Sequence, residues 1–370
     1  MPIIRQIELY AFENEMPDCV AQTWAPGQTG RAIWFACRME THEDVTGEHF
    51  TWARGHRDHW KTAQRLIGSD ALDREALYQE FHPDPCWPIL ENTLWDIAGK
   101  VYRVPVYRLL GGSRKRLPIY ASTVFGDDEP DGLNSPETYA DFAEACLERG
   151  IRGFKIHPWR EVDVERDIEL VRAVGRRVGG RMDLMLDGSF LYSSDADILR
   201  VGKACDEAGF YWYEDPANVG AFDAAELRKA IRTPLMLGER TRGLESMANL
   251  VINGQTDFVR GDGDCDGILA TMKRAYFAEA LGRRIECHGW TPAQAHCVAA
   301  IHNTSYLELS LVHPKLPYES CPFMADGVRP LGIDQADADG CVTLWDHPGL
   351  GVPIDWDYVR SHAVESATFS

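Results

Sequence analysis

The sequence predicts an α/β protein in which a parallel eight-stranded barrel follows a smaller α+β domain. The chain has 370 residues, which suits a barrel of about 250 residues with an additional small domain. From Leu117 onward, short apolar runs alternate with helical stretches. These runs end in polar or charged residues, and the C-terminal strand ends are where barrels carry their active sites.

Composition narrows the possible functions. Hydrophobic residues make up 45% and charged residues 26% of the chain, as in folded soluble proteins. The net charge of −19 argues against nucleic acid or anionic membranes as partners, because both require a basic surface. A small anionic substrate remains possible, since a bound divalent cation reverses the local charge.

The chain has no signal-peptide pattern at its N-terminus and no apolar run near the ~18 residues of a membrane span. We therefore expect a cytoplasmic protein. None of its ten cysteines forms a C-x-x-C pair, so we expect buried free thiols and no zinc cage.

Residues 1–117 are predicted to form the α+β domain. The alternating segments Ile3–Tyr10 and Ala32–Arg38 predict a small antiparallel sheet. In Pro88–Tyr102 the apolar residues recur at three and four positions, which predicts a buried helix. The segment from about 338 to 370 is turn-rich at its start, and we expect it to pack back onto this domain and complete it.

Residues 118–337 are predicted to form the barrel. Its strands are Leu117–Ser122, Ile151–His157, Met182–Asp187, Phe210–Glu214, Leu235–Glu239, Asp257–Asp262, Arg284–His288 and Tyr306–Leu311. The helices between them include Pro136–Gly150 (after the N-cap Ser135), Asp195–Ala208, Ala224–Ile231, Ile268–Leu281 and Pro292–His302. A period of about 25 residues implies parallel βαβ units, and eight such strands close into a barrel. An open doubly wound sheet is the alternative, but no Gly-rich phosphate loop follows the first strand.

The strand ends share one property, which is that they are ionisable. They are Lys155, His157, Asp187, Glu214, Glu239, Asp262 and His288, with Glu308 inside the last strand. Asp187, Glu214 and Glu239 would repel one another without a cation. Oxygen ligands suit Mg²⁺, so the three carboxylates predict a magnesium site. The alternative for each carboxylate alone is a cap on the following helix.

Two further pairs of strand-end residues predict acid–base chemistry. Asp262 beside His288 would raise the basicity of the imidazole and so provide a general base, although a structural hydrogen bond is the alternative. Lys155 and His157 alternate and therefore share the interior face of their strand. A nearby metal would lower the Lys155 pKa into a usable range, whereas a solvated lysine and a helix-facing histidine are the alternative.

At these residues the sequence resembles the enolase superfamily, and within it the mandelate racemase subgroup, over almost the whole chain. LWDIAGK (94–100) and PVYRLLGG (105–112) resemble the end of the family's capping domain, and PGLGV (348–352) resembles its C-terminal signature. The spacing of about 25 residues between successive predicted ligands fits as well.

The resemblance implies a (β/α)₇β modified TIM barrel with an N-terminal capping domain. It implies one Mg²⁺ per subunit on the carboxylate trio, an Asp262–His288 dyad, and a protonated Glu308 that hydrogen-bonds the substrate carboxylate. A core-facing Glu308 in a nearby salt bridge is the alternative. It also implies a homo-oligomer, from dimer to octamer. Other subgroups place a lysine at the end of the sixth strand, where this chain has Asp262.

The chain departs from the family pattern at two places. The second strand often reads Lys-x-Lys, but here it reads Lys155-Ile156-His157. The sixth-strand loop, GDGDCDG, is unusually acidic. Asp262 aligns best as the dyad residue, while Asp264 is a possible substitute.

These residues predict removal of the proton beside a substrate carboxylate through an enediolate. We expect dehydration of a sugar acid to a 2-keto-3-deoxy acid; a racemase or epimerase and an inert metal- and carboxylate-binding sensor are the alternatives. Substrate contacts are expected from Trp159, Arg240 and Trp290. The capping-domain loops Glu13–Gly30 and Thr46–Trp60 are expected to set specificity.

Overall fold

The computed structural model describes residues 1–24, 30–52, 57–325 and 327–370. A four-stranded antiparallel sheet with helices lies against a parallel barrel, and this confirms the predicted fold class. Among the residues that the structure describes, no helix is long and apolar enough to cross a membrane. All ten cysteines are free thiols and eight are buried, as expected.

The capping domain consists of short helices packed on three strands from the N-terminal part of the chain. Its elements are β1 (Ile4–Glu15), α1 (Asp18–Trp24), β2 (Arg31–Thr41), β3 (Thr46–Thr51), a 3₁₀ turn (Arg57–His59), α2 (Thr62–Leu66), α3 (Arg74–Phe81), α4 (Trp87–Tyr102) and α5 (Val106–Leu109). Strand β3 was not predicted, because its sequence TGEHFT is polar and short. It is stabilised by antiparallel pairing with β2 and by packing against the buried helix α4.

The barrel alternates strands and helices as predicted. Its elements are β4 (Arg116–Thr123), α6 (Pro136–Glu148), β5 (Gly153–Ile156), α7 (Val164–Val178), β6 (Asp183–Asp187), α8 (Asp195–Ala208), β7 (Trp212–Glu214), α9 (Ala224–Ala230), β8 (Leu235–Met236), α10 (Leu244–Ile252), β9 (Phe258–Gly261), α11 (Ile268–Ala280), β10 (Arg284–Cys287), α12 (Pro292–Ala300) and β11 (Leu307–Val312). Strands β4 to β10 pair in sequence order, β11 pairs in parallel with β4, and β10 lies beside β11.

The barrel interior contains a packed layer of large side chains, and the site lies beyond this layer at the C-terminal strand ends. Five large side chains fill the interior: Tyr120, Met185, Trp212, Met236 and Phe258. Because alternate residues of a strand point to the same face, the polar residues that follow this layer emerge at the C-terminal strand ends.

The C-terminal segment contacts both domains. Its elements are a 3₁₀ turn (Ile333–Gln335), β12 (Cys341–Thr343), α13 (Trp356–Ser361) and β13 (Ala363–Phe369). Strand β12 pairs antiparallel with β4 of the barrel, whereas β13 pairs antiparallel with β1 of the capping domain. The domain boundaries near residues 117 and 337 stay predictions.

Candidate functional site

Three carboxylates meet at the C-terminal end of the barrel. Asp187 and Glu214 are the last residues of β6 and β7, and Glu239 lies three residues beyond β8. One oxygen from each lies within 4.8 Å of the others. Asp187 and Glu214 are buried, while Glu239 is half-buried. The predicted trio therefore forms an acidic group that could hold a metal ion.

A neighbouring aspartate holds the third carboxylate in place. Strand β8 is shorter than predicted, so Glu239 stands on a loop and not on the strand itself. The buried carboxylate of Asp215 accepts hydrogen bonds from the backbone N–H groups of Gly238 (3.0 Å) and Glu239 (3.1 Å). These bonds fix the loop and compensate for the missing strand pairing.

Two buried cations surround the trio. The Lys155 ammonium lies 3.1 Å from Glu214, 3.3 Å from Asp187 and 2.9 Å from Glu308. The Arg260 guanidinium lies 2.8 Å from Glu214 and 3.3 Å from Glu308. Both cations are 1% exposed, so the pairs are not screened by water. The cations compensate the charge of the carboxylates at the floor of the site.

This charge cluster shifts the pKa values of both Lys155 and Glu308. Burial lowers the pKa of Lys155, but Glu214 and Glu308 outweigh burial and raise that pKa well above its ordinary value. The carboxylates thus raise the Lys155 pKa, whereas a bound metal is expected to lower it. Burial raises the pKa of Glu308, yet Lys155 and Arg260 hold it well below its ordinary range. The two cations thus favour the ionised form of Glu308, and the protonated form that the resemblance implies stays a prediction.

Arg260 is a site residue that was not predicted from the sequence. It stands two positions before Asp262, so strand alternation directs both side chains into the barrel. This alternation was the available signal. An arginine is ordinarily expected to reach solvent, and only the position of Glu214 and Glu308 around it shows otherwise.

His157 is held between a backbone carbonyl and a metal-site carboxylate. Its Nδ1–H donates to the carbonyl oxygen of Thr123 (2.7 Å), and its Nε2 lies 3.1 Å from Asp187 Oδ2. A carbonyl only accepts hydrogen bonds, so Nδ1 carries a proton. Lys155 approaches the same Oδ2 atom, which agrees with the predicted shared face of Lys155 and His157.

Asp262 and His288 directly follow the adjacent strands β9 and β10. His288 Nδ1 lies 3.3 Å from Asp262 Oδ2. Burial lowers the pKa of His288, but Glu239 and the bond to Asp262 raise it to about 9. Asp264 does not face His288; it accepts a hydrogen bond from Thr291 (2.7 Å). The structure thus makes Asp262 the partner of His288.

A cavity of about 510 Å³ lies over these groups. The barrel contributes His157, Asp187, Glu239, His288 and Glu308 to its lining, and the capping domain contributes Asn14, Trp24, Trp34 and Trp52. Both predicted specificity loops reach the cavity in their described parts; residues 25–29 and 53–56 of those loops lie outside the described residues. A neighbouring cavity of about 600 Å³ contains none of the metal-site carboxylates.

The three predicted substrate contacts differ in position. Arg240 lines the cavity and its guanidinium lies 3.8 Å from the ring centre of Phe190. Trp159 is 6% exposed and packs edge-on against Tyr139, outside the cavity lining. Trp290 is 1% exposed and does not itself line the cavity; its indole N–H donates to Glu319, which does.

Glu319 is a second site residue that was not predicted from the sequence. Trp290 Nε1–H donates to Glu319 Oε2 (2.8 Å), and Glu319 lines the cavity beside His288. Burial raises the pKa of Glu319 to about 7, although the bond from Trp290 lowers it. Glu319 stands on the loop after β11 and not at a strand end, so strand periodicity carried no signal for it.

Comparison with known proteins agrees with this architecture. Residues 138–358 match the family described as enolase C-terminal domain-like. This match covers more than half of the chain, and the chain belongs to that family. The resemblance inferred from the motifs is thereby confirmed.

Similar proteins include dehydratases and a cycloisomerase. The D-gluconate/D-galactonate dehydratase of Picrophilus torridus is 28% identical over 72% of this chain and 68% of its own length. The D-galactarolactone cycloisomerase of Agrobacterium fabrum is 29% identical over 72% of this chain and 71% of its own length. Crystalline D-glucarate dehydratase from Agrobacterium tumefaciens, complexed with magnesium, is 29% identical and superimposes with a TM-score of 0.85 over 98% of this chain and 99% of that one.

Proposed function

We propose that this protein is a Mg²⁺-dependent dehydratase that converts a sugar acid into a 2-keto-3-deoxy acid. The observation that carries the proposal is the shared cavity, which is lined by Asp187 and Glu239 of the metal-site trio and by His288 of the His288–Asp262 pair. The names of the relatives support a sugar acid as substrate and dehydration as the reaction.

The donor set fits Mg²⁺. Its members are three carboxylates, which are the hard oxygen ligands that this ion prefers, and the half-buried Glu239 leaves one side of the group open to the cavity. One ion per subunit would be held by Asp187, Glu214 and Glu239. When bound, Mg²⁺ supplies a Lewis acid that stabilises negative charge on the substrate's carboxylate oxygens.

The histidine pair supplies proton transfer. Asp262 occupies Nδ1 of His288, which leaves Nε2 as the ring nitrogen for exchange of a proton with the substrate. Removing the α-proton forms an enediolate. Loss of the β-hydroxyl then needs one proton, which a protonated His288 or the Lys155/His157 pair can donate. Water leaves, and the resulting enol tautomerises to the keto acid.

A second acid–base group consists of Lys155 and His157. Lys155 projects its ammonium between Asp187 and Glu308, where it can also pair with the substrate carboxylate. Because two acid–base side chains, His157 and His288, line the cavity, racemisation or epimerisation is the second candidate. There the enediolate would accept a proton on the face opposite to the one that lost it.

Proton exchange in D₂O separates these possibilities. The Mg²⁺-loaded protein is incubated with a library of aldonates and aldarates, and α-deuterium, product keto acid and stereochemistry are followed by NMR. Exchange with formation of a 2-keto-3-deoxy acid is the expected result. Exchange with inversion and no loss of water would favour the epimerase. No exchange with any acid, despite Mg²⁺ binding, would overturn the enzymatic proposal and favour a sensor.

The proposed partner is a small-molecule carboxylate. The homo-oligomeric state, from dimer to octamer, stays a prediction from the family resemblance. Light scattering of the purified protein measures it directly.

A further inference from the structure

The loop that carries Asp262 is wrapped around that carboxylate. Residues 262–267 lead from β9 to α11. Asp262 Oδ1 accepts the backbone N–H groups of Asp264 and Cys265 (both 3.0 Å). Gln294 donates to the same oxygen (2.8 Å) and accepts the N–H of Gly263 (3.0 Å). The position of Asp262 therefore depends on the conformation of this loop.

A capping-domain side chain ties both ends of the loop. Asn92, on α4, donates through Nδ2 to the carbonyl oxygen of Gly263 (2.8 Å) and accepts through Oδ1 the N–H of Ile268 (3.2 Å). These two contacts fix the orientation of the amide, because its nitrogen can only donate and its oxygen can only accept. Asn92 is 0% exposed, so water cannot replace either bond.

Helix α11 depends on the capping domain for its N-terminal hydrogen bonds. The first N–H groups of a helix have no partner within it, and the N-cap side chain commonly accepts one. The N-cap here is Gly267, with φ of 90° and no side chain. Asn92 accepts the N–H of Ile268, and the adjacent Glu91 accepts the N–H of Leu269 (2.7 Å).

His49 adds a second contact from the capping domain. Its Nε2 lies 3.4 Å from Asp264 Oδ1 and 3.2 Å from Asn92 Nδ2. Thr291 donates to the other oxygen of Asp264 (2.7 Å). His49, Asn92 and Asp264 are each at most 3% exposed, and a buried polar network of this kind loses several bonds when one member is removed.

We propose that Asn92 is a positioning residue for the Asp262–His288 pair, so that docking of the capping domain sets the geometry of proton transfer. Asn92 acts through the loop: it holds Gly263 and Ile268, the loop holds Asp262, and Asp262 orients the His288 ring. The catalytic meaning of the pair rests on the proposed function. The positioning of His288 is testable without turnover.

The experiment compares Asn92→Ala with Thr93→Ala. Thr93 is the next residue of α4, equally buried, and its hydroxyl donates to Ile89 within the same helix. Histidine-¹⁵N-labelled protein reports the Nδ1 and Nε2 shifts of His288, assigned with His288→Gln. We expect Asn92→Ala to change these shifts and to lower kcat for α-proton exchange about tenfold, the lower range for residues that support a catalytic group. KM and the Mg²⁺ dissociation constant should not change, and Thr93→Ala should leave the His288 shifts unaltered.

Unaltered His288 shifts in a folded Asn92→Ala protein would overturn the proposal, as would equal changes in Thr93→Ala. If Asn92→Ala does not fold, Asn92→Asp keeps an acceptor for Ile268 but loses the donor to Gly263, and the same shifts decide. The NMR measurement needs no substrate. Absence of turnover in the wild-type protein would therefore count against the proposed function alone.

Discussion

The carboxylate half and the dyad half of the site are held by different parts of the molecule. In the carboxylate half, Glu214 pairs with Lys155 and Arg260, so that barrel residues hold barrel residues. In the dyad half, the loop that presents Asp262 is bonded to Asn92 of the capping domain. A change in the capping domain should therefore alter proton transfer and leave metal binding intact.

The two halves also differ in what stabilises them. The carboxylate half is a cluster of buried ions, in which removal of one charge leaves another uncompensated. The dyad half is mostly a network of hydrogen bonds to backbone groups, whose geometry matters more than net charge. Substitutions in the two halves should consequently have separable effects.

Glu214→Gln should have the largest effect. It removes one metal-site carboxylate and leaves Lys155 and Arg260 with less compensation, so Mg²⁺-dependent α-proton exchange should fall about 10³-fold or more. Isothermal titration calorimetry should show weaker Mg²⁺ binding, while the ¹⁵N shifts of His288 change little. Retained Mg²⁺-dependent activity would refute the metal assignment.

Glu91→Gln should alter the pH dependence of stability. Burial raises the pKa of Glu91 to about 7, although hydrogen bonds from Leu269 and Trp95 lower it. The folded protein then binds more protons than the unfolded chain between pH 4.5 and 7, so the Glu91 contribution to stability decreases as the pH rises through this range. The glutamine side chain does not ionise and so avoids this loss. The unfolding free energy of the variant, relative to wild type, should therefore be about 3 kcal/mol higher at about pH 8 than at about pH 5.

Urea unfolding of both proteins at the two pH values measures this difference. Glu148→Gln, at an exposed glutamate on α6, serves as the control for a surface substitution. A constant difference between Glu91→Gln and wild type across pH would contradict the expectation.

Asp262→Asn should disable the dyad half alone. The amide cannot stabilise a protonated His288 as a carboxylate does, and we expect α-proton exchange to fall about 50-fold, within the range for partners of a catalytic group. Mg²⁺ affinity should stay at the wild-type value because Asp262 is not one of the three metal-site carboxylates. Weakened Mg²⁺ binding of similar size would show that the two halves are not separable.

Glu319→Gln should have the smallest effect. The variant keeps an acceptor for Trp290 but loses the carboxyl group at the cavity wall, so KM for a substrate with a distal hydroxyl should rise about fivefold, the value of one net hydrogen bond. Steady-state kinetics separates this from a change in kcat. An unchanged KM for every substrate of the library would remove Glu319 from the binding site.

The strand-end residues were predictable because they follow from periodicity. Strand–helix alternation implies parallel strands whose C-terminal ends meet, and this rule places Asp187 and Glu214 together, while Glu239 joins them from a loop that Asp215 holds. Alternation within one strand likewise places Lys155 and His157 on a shared face. These inferences need only local patterns and one rule of topology.

The remaining features depend on packing between distant segments. The pKa of Glu308 is held low because Lys155 and Arg260, from two other strands, lie beside it. Asn92 reaches Gly263 across 171 residues of sequence, and no periodicity links the two positions. Most ionisable residues of the site could thus be read from the sequence. The places of Arg260 and Glu319, and the contact between the capping domain and the Asp262 loop, were decided by tertiary structure, since burial and charge pairing depend on neighbours in space.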